Sequence, residues 1–328
     1  MKKILFLISV MEVILLFSGI PAVLAYTIED LSGIGVEKDF VIGPAKKEVW
    51  LNPGESTTIN LNVTNRLGSE MSFRIGVEDF VGSRDPNQVT VFLGEEKGPY
   101  SLKDYLKPEI TEFTLKHGQR MVLPIEISIP KDAEAGGLYG AVMVSTFSPA
   151  TESEAKAEEI KGGVQLASQL ASLFLVRVKG EVKEEGFLKT LATDKSNYQK
   201  GPISFSLLYE NTGDVHLIPY GIIEIKNILG RKVDELEITP YFAMPNSVRL
   251  KEIEWDKGFL FGKYTALASL NRGYQNIIDQ KSVTFWVLPW KILLAGFGGL
   301  FLIIWLLYWI ATHLEIKRRT TPPGPLKI

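Results

Sequence analysis

The chain has no cysteine and, in 328 residues, only three histidines: His117, His216 and His313. Without cysteine there is no disulfide framework and no thiolate metal site, so the folded state is held by its hydrophobic cores alone. No two histidines fall at the i,i+4 spacing that places both on one helix face, which argues against a zinc site of protein ligands. A Gly-x-Ser-x-Gly elbow and a phosphate-binding glycine loop are missing too. So is any excess of positive charge. Of the 36 Lys and Arg, seven lie outside residues 26–288; of the 38 Asp and Glu, two do. The central segment therefore carries 29 positive against 36 negative side chains, a net charge of −7. A surface of that sign releases no counterions from a polyanion, and nucleic acid is excluded as an expected partner.

Neighbouring carboxylates occur at Glu78-Asp79, Glu95-Glu96 and Glu158-Glu159. Adjacent residues on a strand point to opposite faces, and in loops such pairs are solvated charge, so none reads as an acid–base pair. The sequence offers no catalytic residue, no cofactor site and no metal site. It reads as a non-enzyme.

What is present is one long apolar run, VLPWKILLAGFGGLFLIIWLLYWIATH, over residues 287–313. No charge falls between Lys291 and Glu315, which leaves about 20 consecutive residues to cross a hydrocarbon core roughly 30 Å thick. Trp286 and Trp290 mark one interface, with Lys291 able to snorkel outward; Trp305, Tyr308 and Trp309 mark the other. The basic cluster Lys317-Arg318-Arg319 follows, so the positive-inside rule puts residues 315–328 in the cytoplasm and everything before the span (289–314) outside. Ala295 and Gly299 have small-xxx-small spacing, which permits helix–helix contact but leaves the oligomeric state open. At the other end, Lys2-Lys3, an apolar stretch broken by Glu12, and Pro21–Ala25 form a signal peptide (1–25) cleaved after Ala25. Glu12 makes an uncleaved anchor the alternative. An exported chain without cysteine suits a bacterial envelope better than a eukaryotic secreted module.

Between the two apolar segments the sequence is strand-like. Tyr26–Val41 reads as an extended lead-in. After the turn Leu51-Asn52-Pro53-Gly54, Ile59, Leu61 and Val63 alternate with polar residues, Asn65–Gly68 turns, and Met71, Phe73, Ile75 and Val77 alternate again. These two strands are expected to form a hairpin. Asn62-Val63-Thr64 matches a glycosylation sequon, without meaning in a bacterial strand. Val81–Pro108 is rich in Gly, Pro and charge, strand-like only at Val89–Leu93, and loops of that length tend to be functional or disordered. Met121, Leu123, Ile125, Ile127 and Ile129 share a face, and Pro124 among them marks an edge strand or a bulge. Ala141–Phe147 is almost continuously apolar. It is expected to pair with Leu170–Val178 across a polar excursion, Pro149–Gly163. Beyond the linker Glu181–Gly186, strands are expected at Ile203–Tyr209, Ile223–Ile225, Val248–Trp255 and Val283–Val287.

Short strands at about 8–12-residue spacing, with Gly, Pro and Asn turns between, predict an all-β chain. The expected architecture is two tandem Ig-like β-sandwich domains, 26–182 and 183–288, followed by one C-terminal transmembrane α-helix. An internal repeat supports it. Val63-Thr64-Asn65 matches Tyr209-Glu210-Asn211, and Gly137–Tyr139 matches Gly262–Tyr264. Tyr139 and Tyr264 either tie their hydroxyls to a neighbouring loop or simply fill the core.

This organisation resembles the WxL-interacting proteins of Gram-positive surfaces. The residues that carry the resemblance are Leu51-Asn52-Pro53-Gly54-Glu55-Ser56 with Val63-Thr64-Asn65, Leu102–Pro108, and Ile129-Pro130 with Gly136–Val144. In the second half they are Tyr209–Gly213, Met244-Pro245-Asn246-Ser247 and Gly262-Lys263-Tyr264. The Pro149–Gly163 excursion departs from that pattern. The resemblance implies a peptidoglycan-binding first domain, a host-binding second domain, one membrane helix and a basic tail. The expected partners are thus membrane lipid through the helix and peptidoglycan or surface proteins through the sandwiches. The alternative is an accessory subunit of an envelope transport or secretion complex that binds other proteins.

Overall fold

The computed structural model describes residues 26–147, 168–258 and 260–313. The signal peptide, the Pro149–Gly163 excursion with Glu158-Glu159, and the basic tail lie outside them. The chain divides into two compact units. One comprises the chain up to Gly186 together with Glu210–Leu217 and Phe242–Arg249; the other comprises Phe187–Tyr209, Ile218–Tyr241 and the chain from Leu250 onward.

The first unit is built from β1 (Thr27–Asp30), β2 (Phe40–Gly43), β3 (Lys46–Leu51), β4 (Ser56–Asn65), β5 (Met71–Gly82), β6 (Thr90–Phe92), β7 (Leu106–Pro108), β8 (Glu112–Leu115), β9 (Gln119–Ser128), β10 (Gly136–Phe147) and β11 (Gln169–Val178). One sheet runs β1-β9-β4-β2 with β7 also on β9; the other runs β3-β11-β10-β5-β6 with β8 also on β5. The inward halves of alternating strands make the core. Leu61, Val63, Leu123, Ile125 and Ile127 of the first sheet cluster with Phe73, Ile75, Val142, Val144, Phe174 and Val176 of the second. Each such side chain removed from water contributes about 1.5–3 kcal/mol.

The pairing expected between Ala141–Phe147 and Leu170–Val178 is present: β10 and β11 are antiparallel, with Ala141 opposite Leu173 and Val144 opposite Leu170. The hairpin expected of β4 and β5 is not. β4 pairs with β9 and β2, whereas β5 pairs with β10, β8 and β6. The turn after Asn65 carries the chain from one sheet to the other, and two alternating strands look the same in sequence whether they pair or face each other. Pro124 does not mark an edge either. β9 is flanked on one side by β4 and on the other by two short strands, β1 reaching Val122 and β7 ending opposite Ile125. Pro124 falls in the gap between them, where its missing N–H costs nothing.

The remaining strands are β12 (Gly186–Thr193), β13 (Asn197–Tyr198), β14 (Ile203–Asn211), β15 (Tyr220–Asn227), β16 (Lys232–Ile238), β17 (Ser247–Trp255), β18 (Gly262–Asn271) and β19 (Ile278–Val287). They form a three-stranded sheet, β12-β14-β17, and a five-stranded sheet, β13-β19-β18-β15-β16. Phe285 of the second sheet meets Phe205 and Trp255 of the first edge-on, at ring separations of 5.7 and 6.2 Å, and stacks on Tyr264 at 5.8 Å. Edge-to-face contacts of this kind set the spacing between the sheets. The buried Trp255 indole N–H donates to Asp234 at 2.9 Å.

Two residues after β19, helix α1 runs Trp290–His313, 24 residues with none buried. At 1.5 Å per residue it is about 36 Å long, enough to cross a bilayer core.

Candidate functional site

The almost unbroken apolar run of β10 has a structural reason. Val142 and Val144 face the sandwich core, while Tyr139, Ala141 and Met143 join a second buried cluster with Phe80, Leu175 and Met244, flanked by Tyr100 and Phe242. Both faces of this strand are covered, as a continuous apolar strand requires. The second cover is supplied within the first unit by Glu210–Leu217 and Phe242–Arg249.

Inside that cover lies a chain of three polar side chains. The Tyr139 hydroxyl accepts the His216 backbone N–H at 2.7 Å and lies 3.1 Å from His216 Nδ1. His216 Nε2 lies 2.9 Å from Glu48 Oε1. With the Tyr139 O–H donating to Nδ1, Nε2 carries the hydrogen that goes to Glu48. Tyr139 is fully buried and His216 nearly so. Burial drives the Tyr139 phenol far above its ordinary range. The hydrogen bond from His216 holds the Glu48 carboxyl below its ordinary value, assisted by the charges of Lys46 and Arg177. Lys46 lies 3.2 Å above the Phe242 ring, and desolvation lowers its pKa.

Hydroxyl, imidazole and carboxylate stand in the order of an acid–base relay, but the hydroxyl has no exposed surface, so no substrate reaches it in this structure. The arrangement pins residues 210–217 to β10 and β3. It also makes stability pH-dependent. Because the Glu48 value is depressed, its stabilising contribution is complete above the ordinary value of 4.5 and is lost as pH falls through the lowered one. Urea midpoints measured from about pH 7 down to about pH 3 should therefore fall less steeply for Glu48→Gln than for the parent. Parallel curves would remove Glu48 as the source.

The Val81–Pro108 segment is anchored from below. Asp79, buried within the second half of β5, accepts the backbone N–H groups of Gly98 at 3.1 Å, Leu102 at 3.0 Å and Lys103 at 2.9 Å. The segment then lays Tyr100 on Tyr139, where the Tyr100 carbonyl accepts the Tyr139 N–H at 2.8 Å and the phenol accepts from Asn246 Nδ2 at 2.7 Å. Glu78, beside Asp79, takes no part in this, and Glu95-Glu96 are loop residues.

Beside the polar chain, β3 ends its sheet. It pairs in parallel with β11, and among the described residues no strand pairs with its other side. Lys46, Glu48 and Trp50 share one face by the period-2 rule. Trp50 is 53% exposed, with the Arg177 guanidinium 4.5 Å over its ring; Arg177 is itself paired with Glu184. Neither β3 nor His216 stands out in the sequence.

No family model matches the chain, and no curated protein does. Loosely similar solved structures include the class 5 fimbriae chaperone CfaA, at 13% identity over 76% of this chain and 100% of that one, TM-score 0.36. The E. coli chaperone DraB matches at 16% identity over 75% and 96%, TM-score 0.31. The CsuC–CsuE chaperone–tip adhesion subunit pre-assembly complex of Acinetobacter baumannii matches at 12% identity over 75% and 98%, TM-score 0.34. Likenesses this loose carry no functional conclusion.

The other singled-out residues have local roles. His117 Nδ1 accepts the Gly68 N–H at 3.2 Å, and its Nε2 lies 3.2 Å from the Ile34 carbonyl, which holds the lead-in. His313 lies in the last turn of α1. The Tyr264 hydroxyl bonds both the N–H and the C=O of Phe261 in its own preceding turn. Among the described residues no group of three or more His, Asp or Glu is placed to hold a metal ion.

Proposed function

We propose that this chain is a membrane-anchored binding protein of a bacterial cell surface, without enzymatic activity. In this reading two tandem Ig-like domains, 26–182 and 183–288, stand outside the membrane, α1 crosses it, and residues 315–328 lie in the cytoplasm. The observation that carries the reading is α1. It is apolar on every face from Ile292 to Ala311, none of its 24 residues is buried, and it follows β19 after only Leu288-Pro289. A helix of that kind is stable in lipid and not in water.

The resemblance to WxL-interacting proteins supports a partner on the cell surface, either wall polymer such as peptidoglycan or another surface protein. The free side of β3, with Trp50 beside it, favours a protein. An open strand edge offers main-chain donors and acceptors to an added strand, and a half-exposed Trp offers an anchor. The same edge suits the second reading, an accessory subunit of an envelope transport or secretion complex.

The full chain with a tag on its tail should stay in the membrane pellet through an alkaline wash, and deletion of residues 290–313 should release it. Protease added to intact cells should remove the bulk of the chain and spare the tag; the opposite pattern rejects the orientation. Crosslinking on intact cells and capture on purified wall then separate the partners. Retention by bare wall supports a polymer ligand, crosslinking to one surface or membrane protein supports a protein ligand, and neither rejects binding.

A further inference from the structure

The register of the five-stranded sheet places one feature at the end of the second unit from which the chain passes into α1. Asn227, the last residue of β15, is opposite Tyr264 of β18, and Tyr264 is opposite Phe285 of β19. The turn Ile228–Arg231, between β15 and β16, therefore projects at the end of the sheet where β19 runs out into α1. Three chain steps separate Val287 from Trp290, so that end lies within about 11 Å of the start of the helix. β15 is two strands over from β19, about 10 Å sideways. Asn227 is level with Phe285, two residues short of Val287. The turn beyond it thus reaches the level at which the chain leaves the sheet.

The turn presents Ile228 and Leu229, 67% and 73% exposed, the most exposed large apolar side chains among the described residues outside α1. Leu229 is as exposed as the lipid-type residues of α1 such as Phe297 and Phe301. Their exposure is built in. Asn227 Oδ1 accepts the N–H groups of Leu229 at 3.0 Å and Arg231 at 3.1 Å. The Gly230 N–H bonds the Asn227 carbonyl at 2.9 Å, and Gly230 takes the positive φ of 75° that the turn needs. The tip is ordered before it meets anything, so little conformational freedom is lost on contact. Arg231 follows directly and makes no ion pair among the described residues. Phe261, 52% exposed, precedes Gly262, which is opposite Val287 at the same end.

We infer that the Ile228-Leu229 tip inserts into the interfacial region of the same bilayer that holds α1, with Arg231 at the level of anionic headgroups. This rests on the membrane reading of α1. Apolar residues at the tip and a cation just behind them match the polarity gradient of a bilayer surface. Such a second contact restrains the tilt of the sandwich on its two-residue joint.

The absence of cysteine makes the test direct. Single variants Leu229→Cys, Ile277→Cys and Leu302→Cys of the full chain are labelled with a polarity-sensitive fluorophore. They are reconstituted in phosphatidylcholine–phosphatidylglycerol vesicles containing brominated lipids. Ile277 is an exposed apolar control in the turn at the opposite end of β18 and β19, and Leu302 lies mid-helix. Blue-shifted, quenched emission at 302 and 229 but not at 277 supports the inference. Quenching at 302 with 229 behaving like 277, whether both are quenched or neither, overturns it and leaves the span intact. No quenching at 302 rejects the span and the tip contact together.

Discussion

Replacing Asp79 with Ala should lower the stability of the first unit by about 4 kcal/mol and open the segment it anchors. The carboxylate is buried and accepts three backbone N–H groups, from Gly98, Leu102 and Lys103. Hydrogen bonds to a charged acceptor contribute about 1.5–3 kcal/mol each and are not additive, and buried donors left without an acceptor pay their desolvation. Asp79→Asn is the sharper variant. It keeps the size and, with its oxygen in the Oδ1 place, the contacts from Leu102 and Lys103, but its NH2 then faces the Gly98 N–H, so it should still lose a measurable part of what Ala loses. Two measurements on the detergent-solubilised full chain check this. The urea midpoint should drop, and trypsin should cut after Lys97 and Lys103 faster than in the parent. Unchanged midpoint and cleavage would mean that water replaces the carboxylate at no cost.

Asp79 also marks the limit of what the sequence discloses. It appears there as half of a Glu-Asp pair on a strand that alternates, and alternation tells only which face a residue takes. That was enough to locate about half of the strands, among them the apolar run of β10 with its partner β11. It was not enough to tell a hairpin from a crossing between sheets, and β4 and β5 took the second course. β3 was illegible because Lys-Lys-Glu-Val-Trp-Leu has no clean alternation and pairs in parallel with a strand more than a hundred residues on. The Glu48–His216 contact spans 168 positions, and no local pattern records it. One signal was present. A strand apolar on both faces needs two covers, and β10 announced a second cover whose identity, residues 210–217 and 242–249, only the folded chain reveals.

The internal repeat, by contrast, was legible down to a single side chain, and its test is a matched pair of variants. Asn65 and Asn211 are both fully buried at the end of the strand that precedes a crossing between sheets. Asn65 Nδ2 donates to the carbonyls of Ser69 and Leu115 at 2.9 and 2.8 Å, while its Oδ1 accepts the Leu67 N–H at 2.9 Å. Asn211 Nδ2 donates to Val215 and Ala243 at 2.9 Å each, and its Oδ1 accepts the Gly213 N–H at 2.9 Å. The partners at i+2 and i+4 coincide; the third comes from a distant segment in each case. Only an amide offers two donors and an acceptor in that geometry. Asn65→Ala and Asn211→Ala should each cost about 3 kcal/mol, since one deletion strands two carbonyls and an N–H. The aspartates should cost at least as much, because a carboxylate would face two carbonyl oxygens with no proton to donate. Urea unfolding of the four variants at neutral pH tests the equivalence. A large loss at one asparagine and none at the other would mean that the repeat is a coincidence of turn residues and not a shared way of passing between sheets.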